Sequence, residues 1–492
     1  MIQAGQAIGH QLYTDYQEIG PLPPSPLIVI LAGKGNNTGD ALVATQTLLT
    51  YCPLAQVHIF LTAPTTTWRP HLLAAYTTLK SQTQVTEHPY FQEKPLATLL
   101  NSLTLYYPIH ICIDGILGVA FHPPLPLHLQ TLITIINDFP NIHLRAAIDL
   151  PSGIADTPSS ITFKADFTYT PGTPKLPLFE PQNSTPVGRI RYLDLNFFAT
   201  LPPPTSSNAP HLILPSILTP LKALRPSSTE KRKNGHLLLI GGSRNTPGAI
   251  LMAAKTAATT GTGLLTVLTV KSIQPTLAAA LPEAMWLPCE EDSNGLLNPQ
   301  DVLTKLQSIS PKIQAILIGP GIGPIGETLT PLILSQTQIP TVIDAEALQP
   351  TLLPLLQTRS PQSPPIILTP HLGEWRRLTN IDPSPSNLLH FTQTTQSVLT
   401  LKSPKTLITS PLHPLTYNIT GGPVLSRGGT GDILSGLTAS LLAQNPSDPY
   451  WASCAATYWH GLAADLLAQS QGQSAVKTTD LIDYLPPSLH NL

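Results

Sequence analysis

Short runs of apolar residues, rich in Val and Ile, alternate along the chain with longer segments whose apolar positions recur with the period of a helix. Alternation of this kind is typical of a parallel β-sheet in which crossover helices connect successive strands. It occurs twice, once in each half of the chain. The strands predicted in the first half are PLIVILAG near Ile28, QVHIFL near Ile59, IHICID near Ile111 and LRAAIDL near Ile148. Those predicted in the second half are HLLLIGG near Leu238, GLLTVLTV near Val267, IQAILIGP near Ile316, TVIDA near Ile343, PIILTP near Ile367 and TLITS near Leu407.

The segment between the two halves has the composition of an exposed connector. LPPPTSSNAP begins at Leu201 and RPSSTEKRKNG begins at Arg225, and both are rich in the Pro, Ser and polar residues that interrupt regular structure. A chain of 492 residues also exceeds the usual size of one domain. We therefore predict an α/β protein with domains at residues 1–200 and 231–492, joined by a linker at residues 201–230.

Composition argues against two classes of partner, nucleic acids and membranes. Charged residues make up 11% of the chain and the formal net charge is -2, so no strong field would attract either one. The basic triplet at Lys231 has no aromatic or further basic neighbours, and no stretch contains the roughly eighteen uninterrupted apolar residues of a membrane span. The four cysteines lack the paired spacings of zinc, haem or redox sites. We expect buried thiols in a reducing compartment, the cytoplasm.

Glycines together with acidic and amide residues follow three predicted strands of the first half. The loops are GKGNNTGD at 33–40, DGILG at 114–118 and DLPSG at 149–153. Parallel strands deliver their carboxyl ends to one edge of a sheet, where ligands bind. Glycine lets backbone amides approach a phosphate, and the following helix offers its positive end. Each loop alone is compatible with an ordinary turn capped by Asp, but three on one edge indicate a ligand site.

The second half has a comparable set of loops. IGGSRNTPGA at 240–249, IGPGIG at 318–323, TPHLGE at 369–374, LKSPKT at 401–406 and GGTGD at 428–432 each follow a strand or open a helix. The glycine amides of GGTGD would form an anion hole at a helix start. A carboxylate there would repel phosphate, so Asp432 fits best as a base that accepts a proton from an attacking hydroxyl; the alternative is a helix-capping Asp. Lys402 and Thr406 could steady nucleotide phosphates, although a surface lysine near a turn is common.

These motifs resemble, in the same order, those of the bifunctional NAD(P)H-hydrate repair enzymes, in which an epimerase domain is fused to an ADP-dependent dehydratase domain. In the first half the resemblance rests on GKGNNTGDALVA, DGILG, AIDLPSGIADT and ADFTYTPGTPK, which ends at Lys175. In the second half it rests on NGHLLLIGGSRNTPGA, PEAM, IGPGIG, DAEAL, ILTPHLGE and GGTGDIL. The resemblance covers nearly the whole chain and implies a Rossmann-like first domain and a ribokinase-like second domain.

The resemblance implies a function in metabolite repair. Water adds to the reduced nicotinamide ring and gives a hydrate whose carbon-6 hydroxyl has two configurations. The first domain is implied to interconvert the R and S forms. The second is implied to phosphorylate the hydroxyl of the S form with ADP and to release phosphate, which regenerates NADH or NADPH. The implied cofactors are K⁺ in the first domain and Mg²⁺ in the second, with ADP as co-substrate, and we expect a homo-oligomer.

The resemblance also implies roles for individual residues. The K⁺ ligands of the first domain would be Asn37, Asp114 and Ser152. Its substrate contacts would be Asn36, Asn37, Thr38, Gly39, Asp40, Gly118, Val119, Ala120, Phe121, His122, Pro123, Pro124 and Asp149, with Asp149 also transferring a proton. The hydrate contacts of the second domain would be Ala249, Gly321, His371 and the base Asp432. Its nucleotide contacts would be Lys402, Ser403, Pro404, Lys405, Thr406 and Gly431.

The chain departs from the family pattern mainly in its first half. Thr38 and Ala41 stand where the family usually has glycine, Val119 and Ala120 replace a usual Thr-Gly, and we expect the chain to begin past the family's first helix. A side chain added where backbone approaches a ligand can block binding. Two alternatives therefore stay open. One is a dehydratase whose first half is a non-catalytic binding module, and the other is a ribokinase-like kinase of a vitamin precursor, which GGTGD alone would serve equally well.

Overall fold

The structure, a computed structural model, describes residues 1–89, 96–105, 107–155, 161–197 and 209–492. The chain divides into two compact units, the first formed by residues 1–203 and 469–472 and the second by residues 204–468 and 473–492. Residues 201–208 of the predicted linker lie outside the described residues, and so do the last two residues of the AIDLPSGIADT motif. No helix in the described ranges combines the length and the apolar character needed to cross a bilayer.

The first unit is an α/β unit built around one parallel sheet. Its described strands are β1 (Leu27–Ala32), β2 (Gln56–Leu61), β3 (Val85–Pro89), β4 (Ile109–Gly115), β5 (Ile142–Ile148), β6 (Phe167–Pro171) and β7 (Arg189–Leu193). Its described helices are α1 (Ile2–Tyr16), α2 (Asn36–Tyr51), α3 (Pro70–Gln82), α4 (Leu96–Leu103), α5 (Leu127–Asp138) and α6 (Ser184–Val187). The strand order is β3-β2-β1-β4-β5-β6-β7, so the direction of winding reverses between β1 and β4. A reversal of this kind opens a crevice at the carboxyl ends of the two strands.

Strand β1 shows why this sheet forms. Its residues are all buried, and they alternate between two hydrophobic clusters on opposite faces of the sheet. Ile28 and Ile30 belong to the cluster that includes α1, α2 and α3. Leu27 and Val29 belong to the cluster that includes α4 and α5. Because helices cover both faces, the strand reads as a continuous apolar run.

Helix α1, at the start of the sequence, packs against the core of the first unit. Ile8, Leu12 and Tyr16 recur every fourth residue, and all three are buried in the core. Asp15 on the same helix is fully buried, and its Oδ1 lies 2.8 Å from the guanidinium Nη2 of Arg191 on β7. The helix is therefore tied to the unit by an apolar stripe and by a buried ion pair.

The second unit contains a larger, mixed sheet. Its strands are β8 (His211–Leu212), β9 (His236–Ile240), β10 (Leu264–Val270), β11 (Met285–Cys289), β12 (Ala315–Ile318), β13 (Thr341–Ile343), β14 (Ile366–Leu368), β15 (Val398–Leu401), β16 (Leu407–Ser410) and β17 (His413–Tyr417). Its helices are α7 (Pro247–Thr259), α8 (Gln274–Ala280), α9 (Pro299–Ile309), α10 (Gly326–Gln336), α11 (Leu353–Gln357), α12 (Leu372–Thr379), α13 (Pro385–Thr395), α14 (Thr430–Gln444), α15 (Pro449–Gln471) and α16 (Asp480–His490).

The sheet of the second unit repeats the winding of the first. Its order is β11-β10-β9-β12-β13-β14-β15-β16-β17-β8, and the strands from β11 to β15 are parallel. β16 and β17 then add an antiparallel extension. The reversal falls between β9 and β12, so a second crevice is expected at their carboxyl ends. Together the two sheets confirm the predicted α/β class.

The predicted linker at 201–230 is wrong for its middle part. Strand β8 pairs with β17 through His211 and Leu212, and a 3₁₀ helix follows at Pro215–Lys222. Ile213 and Leu218 are buried in the core of the second unit. Burial of these apolar side chains outweighs the local signal of the surrounding prolines.

Candidate functional site

Three loops of the first unit meet at the crevice beside β1 and β4. Asp114, the penultimate residue of β4, is fully buried. Its Oδ1 accepts a hydrogen bond from the hydroxyl of Ser152 at 2.7 Å, and its Oδ2 accepts one from the Ser152 amide at 2.7 Å. Oδ1 also accepts from the amide of Ile116 at 3.2 Å. Asp114 therefore joins the loop after β4 to the loop after β5.

Asn37, in the first turn of α2, adds the third loop. Its Nδ2 donates to the carbonyl oxygens of Leu117 at 2.9 Å and Ile148 at 2.8 Å. Gly118 packs so closely that a Cβ there would lie 2.7 Å from Asn37 Oδ1. The three residues assigned to K⁺ by resemblance are thus bound into one network of loops.

The chemistry of this network suits a cation. Asp114 makes no ion pair with Lys, Arg or His among the described residues. Burial raises the pKa of Asp114 to about 6, and the hydrogen bonds from Ser152 and Ile116 oppose that rise. A buried carboxylate beside amide and hydroxyl oxygens offers the donors that hard cations prefer. Within the described ranges no group of three or more His, Cys, Asp or Glu is arranged to hold a metal ion.

Asp149 and Asp40 are two carboxyl groups that lie close enough to interact beside the same crevice. Asp149 has a left-handed backbone, with φ of 66°, and forms an ion pair with Lys175. Burial raises the pKa of Asp40 to about 7; the N-terminal ammonium and Lys175 oppose the rise, and Asp149 adds to it. Sequence reasoning gave Lys175 no role, although it closes the ADFTYTPGTPK motif.

The two side chains that replace glycine in this region point into the protein. Thr38 is fully buried, and its hydroxyl donates to the carbonyl oxygen of Gly115 at 2.8 Å. Ala41 is also fully buried, and a Cβ on Gly115 would lie 3.0 Å from the Ala41 Cβ. Both side chains therefore pack against the end of β4 instead of projecting into the crevice.

The remaining predicted contacts of the first unit are less closely placed. Asn36 Oδ1 lies 3.2 Å from His71 Nε2, and Gly39 packs near Leu72. Phe121 packs against the core. The structure leaves exposed, on the loop after β4, the side chains of Val119, Ala120, His122, Pro123 and Pro124.

In the second unit, glycines bring the loops after β9 and β12 into contact. The amide of Gly242 donates to the carbonyl of Pro320 at 2.8 Å. Gly321 has φ of 64°, and a Cβ there would lie 2.5 Å from the carbonyl oxygen of Thr246 and 3.2 Å from the Ala249 Cβ. Ala249 and Gly321, both predicted hydrate contacts, are therefore neighbours.

Lys402, which follows β15, lies among carboxylates. Its Nζ is 2.8 Å from Asp344 Oδ1 and 3.6 Å from Glu374 Oε2. Asp344 follows β13, is 2% exposed and also accepts a hydrogen bond from the Thr369 hydroxyl at 2.8 Å. Burial alone would lower the pKa of Lys402, but Asp344, Glu374 and Asp432 outweigh it, so the pKa is raised. The ammonium is held in its charged form.

His371 begins helix α12 with a capping box. Its Nδ1 accepts from the amides of Gly373 at 2.9 Å and Glu374 at 3.1 Å, and its own amide donates to Glu374 Oε2 at 2.8 Å. Because Nδ1 is an acceptor, the neutral ring carries its proton on Nε2. The side chain is 58% exposed, and its Nε2 lies 3.5 Å from Glu374 Oε1.

Asp432 lies in the first turn of α14 and is partly exposed. Gly429 precedes the helix with φ of 94°, and a Cβ on Gly431 would lie 3.3 Å from Lys402 Nζ. Burial raises the pKa of Asp432 to about 7, Asp344 adds to the rise, and Lys402 opposes it. A carboxylate that titrates near neutrality is suited to general base catalysis.

The other predicted nucleotide contacts form a tight turn between β15 and β16. The Ser403 hydroxyl donates to the carbonyl of Lys405 at 2.7 Å, and the Thr406 hydroxyl donates to the carbonyl of Ser403 at 3.1 Å. Burial lowers the pKa of Lys405 to about 8. Pro404 lies within the same turn. Of the segment 402–406, it is the Lys402 side chain that reaches the carboxylates.

Sequence reasoning missed the roles of Asp344, Glu374 and Thr369. All three lie in motifs it recognised, DAEAL and ILTPHLGE. The motifs were therefore recognised, but they do not show that the carboxylates of Asp344 and Glu374 both lie near Lys402, which follows a different strand.

Comparison with known proteins agrees with this division of the chain. A family described as NAD(P)H-hydrate dehydratase matches residues 237–487, and one described as YjeF-related protein N-terminus matches residues 1–176. The chain is 31% identical to a bifunctional NAD(P)H-hydrate repair enzyme Nnr of Moorella thermoacetica, over 94% of this chain and 88% of that protein. It is 29% identical to the enzyme of the same name from Thermosynechococcus vestitus, over 99% of this chain and 92% of that protein.

A solved structure supports the fold of the second unit. It is a ribokinase-like superfamily protein from Enterococcus faecalis, 29% identical, with a TM-score of 0.50, covering 57% of this chain and 95% of that chain. Both halves of the resemblance are thus found in relatives that extend over nearly the full length. The chain belongs to the family of bifunctional NAD(P)H-hydrate repair enzymes.

Proposed function

We propose that this chain repairs hydrated NADH and NADPH, with the first unit interconverting the R and S hydrates and the second dehydrating the S hydrate at the expense of ADP. The proposal rests on the arrangement of charged groups in the second site. There, a carboxylate with a pKa near 7 lies in the first turn of a glycine-led helix, next to a buried lysine.

In the second unit, Asp432 would accept the proton of the carbon-6 hydroxyl as that oxygen attacks the terminal phosphorus of ADP. AMP leaves, and the phosphate ester would then lose inorganic phosphate from carbon 6 and a proton from carbon 5, so that the ring double bond reforms. The amide of Gly431 would stabilise the negative charge of the transferred group, together with the ammonium of Lys402, which lies 3.3 Å from the position of a Cβ on Gly431. Ala249, Gly321 and the Nε2 of His371 would bind the hydrate.

In the first unit, Asp149 and Asp40 would transfer protons during epimerisation, and Lys175 would hold the Asp149 side chain in place through their ion pair. K⁺ bound by Asn37, Asp114 and Ser152 would hold the three loops in place. The inward packing of Thr38 and Ala41 supports catalysis by this unit, because neither side chain occupies the crevice.

The cofactors and surroundings complete the proposal. Mg²⁺ usually binds through substrate phosphates and keeps several waters, so we propose that the nucleotide brings it to the second site. The four cysteines, Cys52, Cys112, Cys289 and Cys454, are buried and free, which fits a cytoplasmic location. We propose a homo-oligomer by the family resemblance.

The test is a mixture of both hydrate epimers supplied with ADP or with ATP, followed by the absorbance of NADH. Complete recovery of NADH with ADP is expected. Recovery that stops at about half of the hydrate would instead leave the first unit as a non-catalytic module. Absence of any ADP-dependent recovery, with phosphorylation of a vitamin precursor, would favour the ribokinase-like kinase.

A further inference from the structure

The DAEAL motif of the second unit has no role in the function proposed so far, yet its acidic residue is held unusually firmly. The amide of Asp344 donates to the carbonyl of Ile318 at 3.0 Å, and its carboxylate accepts from the Thr369 hydroxyl at 2.8 Å. Gly319 packs against its carbonyl so closely that a Cβ there would lie 1.9 Å away. Ala345, the next residue, has a left-handed backbone with φ of 54°, a conformation that costs energy outside glycine.

The Asp344 carboxylate pairs with the ammonium of Lys402. The ammonium lies 2.8 Å from Asp344 Oδ1 and 3.6 Å from Glu374 Oε2, and the Lys402 side chain is 19% exposed. The Lys402 amide donates to the carbonyl of Pro370 at 2.8 Å. Backbone and side chain together leave the ammonium little freedom to turn, and it lies beside the Gly431 position at the start of α14.

We propose that Asp344 is a positioning residue of the dehydratase reaction, whose buried carboxylate fixes the Lys402 ammonium beside the GGTGD turn, where the transferred phosphoryl group passes. Glu374 makes the second contact with this ammonium, and we call the Asp344 and Glu374 side chains together the clamp. Glu374 also accepts a hydrogen bond from the His371 amide. The inference rests on the proposed function, because it assigns Lys402 to the phosphoryl group of ADP.

The charges around Asp432 give the clamp a measurable signature. The groups that face Asp432 or its lysine are Asp344 and Glu346 after β13, Glu374 on α12, Lys402 after β15 and His460 on α15. Asp344 raises the pKa of Asp432 and Lys402 lowers it. Asp344→Asn therefore moves the acid limb of the kcat profile to lower pH, whereas Lys402→Met moves it to higher pH.

The experiment compares Asp344→Asn with Glu346→Gln, which removes a carboxylate from the same segment but has an exposed side chain and no contact with Lys402. Asparagine keeps the shape and an acceptor for Thr369. We expect kcat of Asp344→Asn to fall roughly ten- to a hundredfold, as for loss of a charge-assisted hydrogen bond, with the KM for the S hydrate unchanged. Glu346→Gln should keep the parental kcat at pH values above the acid limb; because Glu346 also raises the pKa of Asp432, its acid limb shifts to lower pH as well.

The following results would overturn either the clamp or the proposed function. Parental kcat and an unshifted acid limb in Asp344→Asn overturn the clamp. An equal fall in kcat in Asp344→Asn and in Glu346→Gln overturns the clamp as well. If the parent protein gives no NADH from the hydrate, the proposed function fails. The clamp is then tested by thermal stabilisation with ADP, which must weaken in Asp344→Asn and persist in Glu346→Gln, and equal stabilisation of the two variants overturns it.

Discussion

Burial raises the pKa of both Asp114 and Asp432, but their neighbours suit the two carboxyl groups to different roles. Asp114 receives hydrogen bonds from Ser152 and Ile116 and has no cationic partner in the described ranges. Asp432 lies among other carboxylates, with one lysine near it. Asp114 is therefore suited to hold a cation, and Asp432 is suited to take up a proton.

The pH dependence of dehydration follows from Asp432. Its carboxylate must be ionised to accept a proton, and burial raises its pKa to about 7. We expect kcat for the S hydrate to rise with pH through about 7 and to level off above it. Asp432→Asn should lower kcat at least about a hundredfold. Steady-state rates between pH 5 and pH 9 measure both effects, and a flat profile in the parent protein would exclude Asp432 as the base.

Replacement of K⁺ tests the first site. We expect epimerisation to slow when Na⁺ replaces K⁺, because hydrogen bonds from Asn37 Nδ2 to the backbone and between Ser152 and Asp114 fix the positions of the three side chains. Asp114→Asn should slow epimerisation in K⁺ and should remove the difference between the two salts. Conversion of R hydrate to S hydrate is the measurement. Dehydration of pure S hydrate serves as the control, since it uses the other site, and equal epimerisation in both salts in the parent protein would contradict the K⁺ assignment.

Helix α1 illustrates how an element that sequence reasoning overlooked is held in place. The buried carboxylate of Asp15 pairs with Arg191, and the Tyr169 hydroxyl also donates to it at 3.1 Å. These contacts link α1 to β6 and β7 across more than 150 residues of sequence. Neither partner could be identified from the local pattern.

We expect Arg191→Leu to lower the free energy of unfolding by about 3–5 kcal/mol, because removing one partner leaves a buried charge without compensation. The matched control is Lys80→Met, which breaks the exposed pair with Glu87 and should cost less than about 1 kcal/mol. Urea unfolding followed by circular dichroism measures both. A loss below 1 kcal/mol in Arg191→Leu would show that the ion pair does not stabilise the helix.

Some of the strands that sequence reasoning missed are less buried than those it predicted, although the buried strands β6 and β15 were missed as well. The predicted strand β9 is fully buried and appears as a continuous apolar run. β3 and β11 lie at sheet edges, are partly exposed and contain polar residues or Pro. β7 carries two arginines, Arg189 and Arg191, which pair with Glu18 just after α1 and with Asp15 on α1. The sequence of an edge strand alone does not identify it, because its preference for the strand conformation depends on packing against neighbouring strands and on burial.

The molecule uses one strand order twice, and each reversal of winding carries a glycine-rich site. The two sites lie in separate units with separate hydrophobic cores. We expect their activities to separate by mutation. Asp149→Asn should abolish conversion of the R hydrate and leave kcat on pure S hydrate within about twofold, as is usual for distant, independent sites. Coupled assays on the separated epimers measure this, and a parallel loss of both activities would contradict independence.

The sequence by itself determined that the chain holds two α/β units and that glycine-rich loops follow their strands, because hydrophobic period and glycine placement are local properties. Its motifs also indicated the family. Only the tertiary structure decided which side chains meet. Asp344 and Lys402 are 58 residues apart, and Thr38 turns inward onto Gly115 across 77 residues. Such contacts depend on strand order and on the direction of each side chain, which no short segment of sequence contains.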